Sequence, residues 1–129
     1  MARVALLLLV LVALLAAGCG AKTSYAEAKT RSCLQARGAQ IVRPAASDIV
    51  ATSAVGGSFK ANLGDNFVTL VFGTDEGSGQ NLADAYQRFA FPNVRSGLPD
   101  VLRRYSNVVT LWHEHPQDAD LSLVVGCLR

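Results

Sequence analysis

His113-Glu114-His115 contains both histidines of the chain. On a strand, residues two apart point to the same face, so these two imidazoles could share a metal ion such as zinc. Two nitrogens do not complete a tetrahedral site, and no cysteine is near in sequence. The ordinary reading is a polar strand end running into Pro116. Acyl-transfer hydrolysis needs a nucleophile, a base and an orienting group. The chain has no G-x-S-x-G elbow, its only imidazole bases are His113 and His115, and no carboxylate spacing singles out an acid–base pair. The sequence predicts no catalytic residue, no cofactor and no metal, with His113 and His115 as weak metal candidates.

Two further stretches invite a ligand. Gly77-Ser78-Gly79-Gln80-Asn81-Leu82 looks like a dinucleotide loop, but Leu82 stands where the third glycine belongs, so a helix-capping turn accounts for it better. Trp112, the single tryptophan, shares a strand face with Val108 and Thr110. On an open sheet face it would anchor a ligand or partner; beneath a helix it is core.

The composition excludes more than it assigns. Removing residues 1–18 takes Arg3 alone from the 12 basic side chains, leaving 11 against 10 acidic ones. So even a balance, with no like-charge run, gives no electrostatic reason to expect nucleic acid as a partner. At 129 residues with half of them hydrophobic, residues 24–129 are expected to form one globular domain.

Val4 to Ala17 is an unbroken apolar run of fourteen residues after Met1-Ala2-Arg3. It fits the apolar segment of a signal peptide and falls short of the roughly 20 residues of a bilayer span. A short uncleaved anchor is the other reading. The run closes in Leu15-Ala16-Ala17-Gly18-Cys19, which resembles the lipobox of bacterial lipoproteins. The resemblance covers residues 1–19 only. It departs at Ala16, where those proteins usually carry leucine. It implies cleavage before Cys19, a lipid on the Cys19 thiol, residues 19–23 as a tether, and a place in the cell envelope on the outer side of the cytoplasmic membrane. Ala16 and Gly18 also satisfy an ordinary secretory cleavage site, which would make the protein secreted.

Three cysteines in an exported chain leave one to be accounted for separately. If the resemblance puts lipid on Cys19, Cys33 and Cys127 remain as a pair in a compartment that permits disulfides. Two buried thiols are the alternative.

Secondary structure follows from the residue pattern. Ser24-Tyr25-Ala26-Glu27 has capping-box form and predicts a helix to about Arg37, stopped by Gly38. Strands are expected at 40–43, 58–63, 67–72 and 107–114. Helices are expected over 48–54, from Ser78 to near Pro92 with Leu82, Ala85, Tyr86 and Phe89 on one stripe, as one turn at 99–102, and at the end of the chain with Leu121, Val124, Val125 and Leu128 on one stripe. The order predicts an α+β two-layer sandwich, with a ferredoxin-like βαββαβ core and an extra helix at each end. The function expected is a non-catalytic binding or interaction module anchored through Cys19. The alternative is a small exported metal-binding protein or enzyme using His113 and His115.

Overall fold

One short helix decides the order of the sheet. The computed structural model describes residues 23–129; the expected signal segment, Cys19 and the start of the expected tether lie outside the described residues. Helix α1 (Glu27–Ala36) leads into β1 (Gln40–Val42), α2 (Ile49–Thr52), β2 (Ser58–Asn62) and β3 (Phe67–Phe72). Then come α3 (Glu76–Phe89), two single turns α4 (Pro92–Arg95) and α5 (Leu98–Val101), β4 (Leu102–Tyr105), β5 (Val108–Trp112) and α6 (Asp118–Cys127).

The expected α+β class holds: helices pack on one five-stranded sheet, of order β1-β2-β3-β5-β4. The ferredoxin-like order does not. The split βαβ arrangement keeps its first two strands parallel with the third between them, whereas here β1 lies directly beside β2 and antiparallel to it, and the strands follow one another as an antiparallel sheet. A crossover between parallel strands takes a dozen or more residues, usually with a substantial helix. Here α2 has only four residues, so β2 turns back to lie beside β1. Strand β4 was not legible; it joins β5 through a two-residue turn at Ser106-Asn107, with Ser106 at φ +53°.

Two expected caps are also corrected. Ser24 does not cap α1: the N-cap is Ala26, without a side-chain bond, and its N–H donates to the Arg129 carbonyl at 2.7 Å. Ser78 does not open α3. Asp75 does, accepting from the Ser78 N–H at 2.7 Å while the Ser78 hydroxyl accepts from the Asp75 N–H at 2.9 Å.

Strand alternation gives the sheet two apolar faces. Phe59, Val68, Leu70, Phe72 and Val108 lie beneath α1 and α6, joined by Leu34 and Val124. Val71 and Val109 face the other way, against Val50 and Ala51 of α2 and Ala83 and Tyr86 of α3. On the first face the Cys33 and Cys127 sulfurs sit at disulfide distance, 2.12 Å, bridging α1 to α6.

Candidate ligand-binding groove

The two helices on the second face do not cover it equally. Helix α2 is about 6 Å long at 1.5 Å per residue, enough to roof Val71. Helix α3 crosses β4 and β5. Between them, at the Phe67 end of the sheet, a groove of about 610 Å³ stays open, floored by Phe67, Thr69 and Leu111. Ile49 forms one lip; Phe89, Phe91 and Val94 form the other. Its size is that of a small-molecule site, for which 300–1,000 Å³ is typical.

The lips are unusually apolar for a surface. Phe91 is 75% exposed, Phe89 59%, Ile49 56% and Val94 47%; these are four of the six exposed large apolar side chains among the described residues. Single exposed apolar residues are ordinary, but a cluster round one concavity marks a binding surface.

Polar groups inside the groove are few and placed. The Tyr86 hydroxyl donates to Asp48 Oδ2 at 2.8 Å, and Asp48 Oδ1 accepts from the Ala51 N–H at 2.9 Å, capping α2. One carboxylate thus both starts the short helix and fixes the tyrosine. Burial, reinforced by the Asp48 charge and hydrogen bond, pushes the Tyr86 hydroxyl far above its ordinary value of 10.0. A raised tyrosine favours the folded state in full below the unfolded value, and that contribution is lost as pH rises toward the folded one. Above about pH 10, wild-type stability is therefore expected to fall by about 1.4 kcal/mol per pH unit through Tyr86. Urea midpoints followed from about pH 8 to about pH 11 should drop more steeply for wild type than for Tyr86→Phe; parallel curves would contradict the assignment.

Of the residues singled out in sequence, His113 and Trp112 line this groove, whereas His115, Gly77 and Gly79 are not part of its lining. His113 continues the ladder, its N–H donating to the Phe67 carbonyl at 3.0 Å, and its ring stacks on Phe67 with centroids 4.3 Å apart. His115 instead turns to Asp100, Nδ1 to Oδ1 at 2.6 Å. The two imidazoles are thus occupied separately, and no group of three or more His, Cys, Asp or Glu is arranged to hold a metal among the described residues. Trp112 is 2% exposed and belongs to the core beneath α1 and α6, in agreement with the core reading, while also bordering the groove. Gly77 and Gly79 belong to the capped first turns of α3. Gly79 is required there: a Cβ would lie 2.3 Å from the Ser106 carbonyl oxygen.

Sequence reasoning missed Ile49, Phe91 and Val94, and placed Phe89 in the core stripe of α3. Phe91 carried a faint signal, a large apolar residue stranded between a helix end and Pro92. No protein-family model, curated protein or solved structure matches this chain.

Proposed function

We propose that the protein is a non-catalytic binding module of the cell envelope, anchored through lipid on Cys19, that takes an apolar ligand in the groove between α2 and α3. The observation that carries this reading is the clustering of Ile49, Phe89, Phe91 and Val94, all largely exposed, about one concavity. Leaving those side chains in water is unfavourable by roughly 25 cal/mol per Å² of apolar surface that a ligand would cover.

The chain's path supports an anchored geometry. The Thr23 carbonyl accepts from the Ser106 hydroxyl, and the Tyr25 N–H donates to Asn107 Oδ1 at 2.8 Å, so the tether joins the domain at the β4–β5 turn. The first turn of α3 also packs on that turn through Gly79. Phe89 is ten residues further along α3, about 15 Å away. From Cys19 to Thr23 the backbone reaches at most about 14 Å. Anchoring at Cys19 would hold the turn toward the bilayer and turn the groove outward.

Photolabelling tests the groove. Full-length protein in phosphatidylcholine vesicles is irradiated with a diazirine-bearing decanol, and adducts are mapped by peptide mass. Adducts are expected on the Phe89–Leu98 segment and are expected to fall severalfold in a Phe91→Glu/Val94→Glu variant. Both side chains are exposed, so folding should be little affected. Labelling spread over the surface, or unchanged by the variant, would overturn the reading.

A further inference from the structure

The groove does not end in apolar surface. Beyond Leu98, which lines both spaces, lies a second hollow of about 630 Å³ bounded by Gln87, Arg88, Arg95 and Pro99. Arg88 comes from the last turn of α3 and Arg95 from α4. Neither guanidinium has a carboxylate within salt-bridge distance among the described residues; Arg95 donates only to the Ala90 carbonyl, at 3.1 Å. Two cations without counterions therefore line a hollow that shares the Leu98 side chain with the apolar trough.

The rest of the groove carries charges that already have partners. Asp48 lies at the α2 side, held by Tyr86 and Ala51. At the Phe67 end the Lys60 ammonium sits 3.8 Å from the centre of the Phe67 ring, and His113 stacks on the same ring. That ammonium already has a partner in the ring, whereas the two arginines have donors to spare. Guanidinium also matches a planar carboxylate better than ammonium does.

We infer that the ligand is a single-chain anionic amphiphile, its tail in the groove and its carboxylate on Arg88 and Arg95. This rests on the binding-groove reading above and adds the charge and direction of the ligand. A cationic amphiphile meets two unpaired arginines at that end, and a neutral one leaves them unused. The two cations are surface groups, so together they should provide about tenfold preference for an acid over the matching alcohol.

The same vesicle-bound, full-length protein is labelled with diazirine-bearing decanoate and decanol at equal aqueous concentration. Decanoate adducts on the Phe89–Leu98 segment are expected to exceed decanol adducts about tenfold. In Arg88→Glu/Arg95→Glu the excess should vanish while decanol labelling persists. In Lys60→Gln it should remain. If both probes label the segment equally, or if Lys60→Gln abolishes the preference, the groove stands and the carboxylate assignment falls. If neither probe labels the segment, the groove itself falls. Preserved decanol labelling in the arginine variant shows that the variant is folded.

Discussion

A Cys33→Ala/Cys127→Ala variant is expected to lose about 4–5 kcal/mol of unfolding free energy, the value for releasing a crosslink that closes a loop near 100 residues. The separation is 94 residues and the Cα atoms stand 5.4 Å apart, a spacing the folded backbone supplies without rearrangement. Alanine is the appropriate replacement because Cys127 is fully buried, and serine would add an unpaired hydroxyl there. A domain of this size has about 5–15 kcal/mol in total, so the loss removes a large share of it. The bridge nevertheless joins α1 to α6, on the sheet face opposite the groove. Urea denaturation should therefore show a midpoint lowered by more than about 1 M, while the folded fraction keeps its decanol labelling. A midpoint within error of wild type would mean that helix packing, and the Ala26 to Arg129 backbone bond, hold the two ends without the crosslink.

That bridge was legible early because it needs only arithmetic: three cysteines, one of them in a lipobox-like context. Elements with strong local signals were equally legible. Phe67 to Phe72 is apolar on both faces apart from Thr69, and β3 is central in the sheet. The Tyr86 and Leu82 positions marked the buried face of α3. Strand order was not legible, because it turned on whether Asp48–Ala54 would form a crossover helix or a single turn. Local sequence says little about that; the Asp48 cap and Gly56-Gly57 fit both. Gly56 shows how tertiary context decided it, since a Cβ there would lie 2.3 Å from the Phe72 carbonyl oxygen. Strand β4 was missed because Arg103 and Arg104 break its alternation and it spans four residues.

The groove was illegible for a related reason. A site made by what a short helix fails to cover has no motif of its own. Ile49, Phe89, Phe91 and Val94 come from three helices and a loop, and each alone reads as core or as an ordinary surface residue. Only the single turn of α2, ended by Ser53 and the following glycines, makes them neighbours. His113 and His115, in contrast, had a motif and no shared destination: Phe67 holds one and Asp100 the other.

Asn107→Ala should be nearly as damaging as loss of the disulfide, by a different route. The side chain is 1% exposed, and both its ends are used: Nδ2 donates to the Tyr25 carbonyl at 2.9 Å and the Gly73 carbonyl at 2.8 Å, while Oδ1 accepts from the Tyr25 N–H at 2.8 Å. Truncation leaves three backbone groups without partners. Each unmade buried bond costs about 1–3 kcal/mol, and water entering the space recovers part of it, giving about 3–4 kcal/mol in all. Asn107→Asp should do no better, since it keeps the acceptor but places a carboxylate against two carbonyls. The loss has a local signature that the disulfide variant lacks. Tyr25 loses both of its Asn107 bonds, so its amide should exchange with solvent many times faster than the sheet amides of β3 in the same molecule. Chymotrypsin should also cut after Tyr25 before it attacks the core. If Tyr25 stays protected while global stability falls, Asn107 is a core group and no more. If Tyr25 is released first, the β4–β5 turn is the joint that fixes the segment before α1 to the domain, and with it, under the proposed anchoring, the direction in which the groove would face.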